Sequence, residues 1–124
     1  MGYESRIIVA KRTVWDDSGL VWFEKLADMY LSKVGGNFPD IFTTEVESNI
    51  YGDGFKMNSE EEIELTEDKY GDTCCYTDVQ TVIKWLENAE AEEHYRRFTP
   101  AIAMLKAYAA EKWEGDIVVI HYGY

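Results

Sequence analysis

Two short, β-branched apolar runs near opposite ends of the sequence constrain its fold more than any other feature. Residues 7–10 (IIVA) lie within the stretch Ser5–Val14, and residues 117–120 (IVVI) lie within residues 116–122. Both runs are apolar at every position, so a strand built from either one carries apolar side chains on both faces. Such strands belong in the interior of a covered sheet. We therefore predict that the two runs pair side by side at the centre of one sheet.

A helix is predicted over residues 19–34, after the first strand. Residues 16–18 (DDS) offer N-caps, and the glycines at 35 and 36 can end a helix in a left-handed turn. The spacing between apolar residues is helical, because they recur three or four positions apart. These residues are Phe23, Leu26, Ala27, Tyr30 and Leu31.

Two further helices are predicted in the second half of the chain. Thr77 and Gln80 match a capping box ahead of an apolar stripe, which predicts a helix over residues 78–88. Pro100 cannot continue an existing helix without loss of a backbone hydrogen bond, but it suits a first helical position. The third helix is therefore expected to begin with Thr99 as its N-cap.

The middle of the chain predicts strands joined by a tight turn. Residues 41–51 alternate, with one apolar face and one face that carries glutamates. Residues 52–54 (GDG) supply the positive φ angles of a tight hairpin. Ile63 and Leu65 alternate with glutamates, which is typical of a half-buried edge strand guarded by charge.

Together these elements predict one α+β domain that spans residues 1–124. A chain of 124 residues has enough apolar side chains for one core, at 46% hydrophobic residues, and little surplus for a second. The expected architecture is a two-layer sandwich. It has one mainly antiparallel sheet with the N- and C-terminal strands central, and three helices packed on that sheet.

The sequence also predicts a cytoplasmic protein. No apolar run approaches the roughly 18 residues that cross a bilayer, and residues 1–11 lack the pattern of a secretory signal. Cys74 and Cys75 are adjacent, and a bridge between them would close a strained ring. We therefore expect two reduced thiols, which agrees with a reducing compartment.

The negative charge of the chain is concentrated in its middle. The formal net charge is −12. The segment from Asp40 to Asp78 contains twelve acidic residues and two basic ones, Lys56 and Lys69. That segment therefore carries ten of the twelve excess negative charges. Such a field repels nucleic acid and anionic membranes and attracts basic protein surfaces. Direct binding to nucleic acid or to a membrane is not expected.

No residue pattern indicates a catalytic, metal or cofactor site. The chain has two histidines, His94 and His121, and no local signature of nucleophilic catalysis surrounds them or the cysteines. The adjacent cysteines lack the spacing of a zinc site, and the aspartates at 68, 72 and 78 do not match a calcium loop. We expect no catalytic residue, no metal and no cofactor.

Three stretches of the chain resemble a group of small bacteriophage proteins. They are residues 1–6 (MGYESR), 95–98 (YRRF) and 121–124 (HYGY). Phage proteins of this size and acidity are similar in behaviour to anti-CRISPR and anti-restriction inhibitors, which occupy basic grooves of host defence proteins. The resemblance implies a blocker or decoy that acts in the cytoplasm of a host cell.

The leading hypothesis is a non-catalytic binding protein of anti-CRISPR type that blocks a basic, nucleic-acid-binding surface of a host protein. The partner would be a CRISPR effector or another DNA-binding enzyme. The acidic side chains would imitate the spacing of phosphates, and the aromatic ones would anchor the interface. We expect a monomer or a homodimer. The predicted partner-binding residues are Glu45, Glu47, Asp53, Glu60, Glu61, Glu62, Glu64, Glu67, Asp68, Asp72, Tyr51, Phe55, Tyr70 and Tyr76.

Two alternatives stay open. One is a small enzyme or nucleotide-derivative-binding protein with a pocket near Cys75, His94, Arg96 and Arg97. The two arginines could grip a phosphate or a carboxylate, although ion pairing with the glutamates one helical turn earlier explains them more simply. The other alternative is a structural phage component that works as an oligomer.

Overall fold

The computed structural model describes residues 5–14, 21–32, 34, 36–46, 73–93, 97–113 and 115–123. This part of the chain has an α+β fold, as the sequence predicts, with strands and helices alternating irregularly along the sequence. In chain order, its elements are β1 (Ser5–Val14), β2 (Val21–Ser32), a 3-10 helix (Phe38–Ile41), β3 (Thr44–Glu45), β4 (Cys75–Asp78), α1 (Val79–Glu93), α2 (Thr99–Ala110) and β5 (Asp116–Gly123).

The described strands form one antiparallel sheet in the order β2-β1-β5-β4-β3. β1 and β5 lie side by side near its centre, with Val9 opposite Val119. Both of these side chains are fully buried, as are Ile8 and its partner Ile120 on the other face. The prediction that the two apolar runs pair at the centre of the sheet is confirmed.

The helix predicted for residues 19–34 is wrong, because this stretch forms β2 and pairs with β1 along its length. The register between the two strands shifts twice, and each shift leaves one extra residue on β2, first Leu26 and then Leu31. An extra residue interrupts the alternation of a strand, so two neighbours can point to the same face. Leu26 and Ala27 accordingly both pack on the helix side of the sheet. A strand with these shifts accommodates apolar residues at a spacing that resembles that of a helix.

Side chains of the helical layer bind the backbone at both register shifts. The Tyr108 hydroxyl donates a hydrogen bond to the carbonyl of Leu26 at 3.2 Å. The Arg97 guanidinium donates to the carbonyl of Leu31 at 2.6 Å. A residue displaced from the ladder of a sheet needs another partner for its backbone polar groups. The helical layer therefore holds the outer strand in its irregular register.

Both described helices cover the same face of the sheet. Leu86 of α1 and Leu105 of α2 are fully buried in one cluster with Ile7, Val9 and Val119 of the central strands. Only two of the three predicted helices are present in the described residues, since the first is β2. The two described helices form one layer against this face of the sheet.

The start of α1 is capped by Asp78 rather than by the predicted Thr77. The Asp78 carboxylate accepts a hydrogen bond from the backbone N–H of Thr81 at 3.3 Å and another from the Thr81 hydroxyl. This is the usual N-cap arrangement, in which a side-chain oxygen accepts the N–H of the third helical residue. The helix then runs to Glu93, five residues beyond its predicted end.

The start of α2 lies where Pro100 predicts it, although Phe98 is the N-cap residue and Thr99 is already helical. A carboxylate from α1 completes this helix end. Glu90 accepts hydrogen bonds from the backbone N–H of Phe98 and from the Thr99 hydroxyl, both at 3.0 Å. The two helices are thereby joined by polar contacts as well as by the core.

A second buried cluster lies on the face of the sheet away from the helices. Its described members come from the strands and from the residues that flank β3 and β4. Phe23 and Ile120 are fully buried there, and Cys74 is 1% exposed. The backbone N–H of Val46 donates to the carbonyl of Cys74 at 2.9 Å, which joins the two flanking segments.

The predictions for the middle of the chain fall largely outside the described residues. Within residues 41–51, the structure describes the end of the 3-10 helix, the short strand β3 and Val46. The predicted turn at residues 52–54 and the edge strand near Ile63 and Leu65 lie outside the described part.

Candidate functional site

Two of the fourteen predicted partner-binding residues, Glu45 and Tyr76, lie in the described part of the chain. Glu45 on β3 is exposed and lies opposite Cys75, which packs on the helix side of the sheet. Tyr76 packs against the cluster on the other side. The structure therefore does not bring these two residues together on one face. The others lie outside the described residues: Glu47, Tyr51, Asp53, Phe55, Glu60, Glu61, Glu62, Glu64, Glu67, Asp68, Tyr70 and Asp72.

The described part of the chain contains a cleft of about 630 Å³ that the sequence did not predict. It lies where β4 passes into α1, facing the end of α2 and the start of β5. Its volume is within the roughly 300–1,000 Å³ that is typical of ligand sites. Its lining includes three carboxylates and three aromatic side chains. These residues are Tyr76, Asp78, Tyr108, Glu111, Trp113 and Asp116.

One wall of the cleft is a pair of aromatic rings held by backbone hydrogen bonds. The chain turns back after α2, and the Trp113 indole N–H donates to the carbonyl of Tyr108 at 2.9 Å. The two rings lie stacked, with centroids 6.1 Å apart and planes inclined by 26°. The Tyr108 hydroxyl is itself bound to the carbonyl of Leu26. These contacts fix the wall at both ends, so it is a preformed flat surface.

Another part of the cleft lining begins at Gly115, where the chain enters β5. Gly115 has a φ of +156°, and a Cβ there would lie 2.8 Å from the carbonyl oxygen of Arg12 on β1. Only glycine permits this close approach without a shift of the backbone. It places Asp116 opposite Arg12 in the sheet. The Arg12 guanidinium lies over the Tyr76 ring, 5.9 Å from its centroid.

The cleft carries negative charge. The hydrogen bonds from Thr81 are the main reason that the pKa of Asp78 lies below its usual value, so this carboxylate is ionised at neutral pH. Asp116 and Glu111 are exposed carboxylates at the same cleft. The described residues that line it include neither lysine nor arginine, and the neighbouring Arg12 guanidinium lies against the ring of Tyr76. A cationic group would therefore be attracted there, while the same lining disfavours an anion.

The structure does not favour a nucleophilic site at Cys75. Burial, together with the nearby charge of Glu45, raises the pKa of the Cys75 thiol. A thiol with a raised pKa stays protonated at neutral pH and is a poor nucleophile. Its thiol donates weakly to the carbonyl of Thr73 at 3.6 Å.

Of the other residues proposed for the alternative pocket, the structure describes Arg97 alone. Arg97 binds the carbonyl of Leu31, and His94 and Arg96 lie outside the described residues. The strand neighbour of Cys75 is His121, whose buried ring is hydrogen-bonded to Ser5 at 2.9 Å. In the part of the chain that the structure describes, no three His, Cys, Asp or Glu side chains group closely enough to hold a metal ion.

The cleft residues come from separated parts of the sequence, which is why sequence reasoning missed them. One local signal existed: Glu111, Trp113 and Asp116 lie close together in sequence where the chain enters the last strand. None of the described helices is long and apolar enough to cross a membrane. Comparison of the chain with protein-family models, curated proteins and solved structures finds no match. The likeness to bacteriophage proteins therefore stays a prediction from the sequence.

Proposed function

We propose that this chain is a non-catalytic binding protein that docks on a basic, nucleic-acid-binding surface of another protein. The observation that carries the proposal is the cleft, in which three carboxylates and an aromatic wall meet without a lining cation among the described residues. The net charge of −12 means that the whole molecule also attracts positively charged surfaces. A CRISPR effector or another DNA-binding enzyme of a bacterial host is the kind of partner that this chemistry fits, and the phage resemblance supports that choice.

The mechanism is electrostatic steering followed by burial of aromatic surface. An acidic molecule approaches a basic groove faster than a neutral one, and added salt screens this attraction. Tyrosine and tryptophan then supply apolar area with a polar tip, which is the usual composition of interface anchors. Tyr108 and Trp113 serve this purpose, because their contacts hold the rings before a partner arrives.

The thiol chemistry supports a binding role over an enzymatic one. The half-buried Cys75 has a raised pKa, so it lacks the activation that a nucleophile requires. Its neighbour His121 packs against the rings of Phe38 and Phe42 and is 7% exposed. Such a histidine is part of the core.

The proposal is tested by binding to a purified partner under varied salt. A pull-down from host lysate, repeated at low and high salt, selects nucleic-acid-binding candidates for direct measurement of Kd. We expect the affinity to fall steeply between about 50 and 200 mM salt, since the contacts replace those of a polyanion. An affinity that is constant over this range would contradict the mechanism.

Two charge-reversal variants test whether binding depends on the acidic segment, residues 40–78. The variant with Glu61, Glu62 and Glu64 all changed to lysine should lose binding and keep its fold. The matched control reverses three exposed acids of the described structure and should keep most of the affinity. Full binding by the first variant, or equal loss in both, would remove the proposal. The control residues are Glu24, Glu87 and Glu92, which lie outside residues 40–78.

Light scattering addresses the alternative of an oligomeric structural component. A binding protein of the proposed type is a monomer or a small homodimer in solution. A large, stable assembly that forms without any partner would favour the structural role instead.

A further inference from the structure

We propose that the cleft seats an arginine side chain of the basic partner, an inference that rests on the proposed function. A guanidinium group is flat and cationic, and it binds best where an aromatic face and a carboxylate are both within reach. The cleft has both features in its lining, the stacked rings of Tyr108 and Trp113 and three carboxylates. A surface patch of acids alone would not distinguish arginine from any other cation.

Two of the three cleft carboxylates have the freedom to bind such a group. Asp78 uses its oxygens to hold Thr81, so it contributes charge more than new hydrogen bonds. Glu111 and Asp116 are exposed, and they flank the aromatic turn in sequence and line the cleft in space. These two carboxylates are the acceptors for the forked N–H groups of a guanidinium.

Arginine is favoured over lysine because its flat group can lie on a ring while its edge donates to a carboxylate. Lysine has a compact, strongly hydrated ammonium group that gains less from an aromatic face. The described part of the chain itself places an arginine over an aromatic ring twice. Arg12 lies over the ring of Tyr76 at 5.9 Å, and Arg97 lies over the ring of Phe98 at 5.0 Å.

The size of the cleft indicates that the arginine arrives as part of a peptide segment. A volume of about 630 Å³ is in the middle of the range for drug-sized ligands of roughly 300–1,000 Å³. One side chain leaves part of that space unfilled. Residues next to the arginine in a surface loop of the partner would fill the remainder and exclude water from the contact.

Short blocked peptides test this inference without the partner. The probe is acetyl-Gly-Arg-Arg-Gly-amide, and the comparison is the same peptide with lysine in place of both arginines. Binding is followed by two-dimensional ¹⁵N NMR of the indole N–H of Trp113, which a Trp113→Phe variant assigns. We expect the arginine peptide to shift this signal and to bind at least about threefold more tightly than the lysine peptide. Equal binding of the two peptides, or no shift at Trp113, would overturn the inference.

Two matched double variants distinguish the effect of the cleft carboxylates on peptide binding from the effect of overall negative charge. Changing Glu111 to Gln together with Asp116 to Asn should weaken the arginine peptide about tenfold. Changing Asp40 to Asn together with Glu92 to Gln removes the same charge elsewhere and should alter its Kd less than about twofold. Equal weakening by both pairs would show simple charge attraction and overturn the inference.

The same variants distinguish failure of this inference from failure of the proposed function. If the purified partner binds the cleft double variant as tightly as wild type but still requires low salt, the arginine site is wrong and the function stands. If the affinity for the partner does not change with salt while the peptide results hold, the cleft site stands and the proposed function falls.

Discussion

The Asp78 carboxylate has two roles: it caps α1 with a hydrogen bond, and it places a negative charge at the helix N-terminus. Substitution by asparagine removes only the charge, whereas substitution by alanine removes both. As an N-cap, asparagine offers a side-chain oxygen to the N–H of Thr81, whereas alanine offers none. Asp78→Ala should therefore lower the free energy of unfolding by about 1 kcal/mol. Asp78→Asn keeps the hydrogen bond and loses only the favourable charge at the helix N-terminus, about 0.3 kcal/mol for an exposed group.

Chemical and thermal unfolding followed by circular dichroism measures this difference. For a chain of this length, about 1 kcal/mol corresponds to a fall in Tm of about 4 °C. The pH dependence gives a second check. The pKa of Asp78 is lowered by folding, so its contribution is present above the unfolded pKa and is lost as the pH falls. The gap between wild type and Asp78→Ala should narrow below about pH 4.

Two outcomes would refute the capping argument. Equal destabilisation by Asp78→Asn and Asp78→Ala would show that the charge, and not the hydrogen bond, stabilises α1. A gap that persists unchanged down to about pH 2 would show that ionisation of Asp78 has no part in it. The two variants remove the same charge from the cleft, so both should weaken the arginine peptide to the same degree.

Three other perturbations test the structure around the cleft and the sheet. Tyr108→Phe removes the hydroxyl that binds the carbonyl of Leu26 and should cost about 1 kcal/mol in urea unfolding; unchanged stability would contradict the anchoring of β2. Gly115→Ala brings a Cβ within 2.8 Å of the Arg12 carbonyl and should cost about 2 kcal/mol, visible as a lower Tm; a wild-type Tm would show that the backbone shifts freely. Cys75, with its raised pKa, should react with iodoacetamide at about pH 8 far more slowly than the unfolded chain. Equal rates in buffer and in urea would contradict its protection.

The centre of the fold could be predicted because it depends on composition over short stretches. Residues 7–10 and 117–120 are apolar at every position, and burial on both faces of a sheet is the arrangement that satisfies them. Pro100 likewise predicts its own place in the first turn of a helix, since its ring fixes φ and it has no N–H. Both predictions needed only local covalent geometry and hydrophobicity.

The outer strand could not be predicted, because its irregularity is set by distant contacts. Leu26 and Leu31 leave the regular alternation of β2, and the groups that bind their carbonyls are Tyr108 and Arg97, far along the chain. A local pattern cannot show that such partners exist. Register shifts brought Leu26 and Ala27 to one face, and the resulting spacing matched a helix as well as a strand.

The candidate site escaped prediction for a related reason. The sequence predicted the binding site in the acidic middle of the chain, because many carboxylates are close in sequence there. The cleft instead joins the end of β4, the end of α2 and the start of β5. Only the pairing of β5 with β4 and the return of the chain at Trp113 bring these parts together.

The position of β5 between β1 and β4 has a consequence for synthesis on the ribosome. β5 follows every other described element in the chain, yet it is the strand through which the pair β1–β2 and the pair β3–β4 join. Without this strand, the other described strands of a nascent chain form two separate pairs, and the core that β5 completes is open. Cooperative folding must therefore wait until β5 leaves the exit tunnel, and long-range pairing of this kind makes the folding step slow.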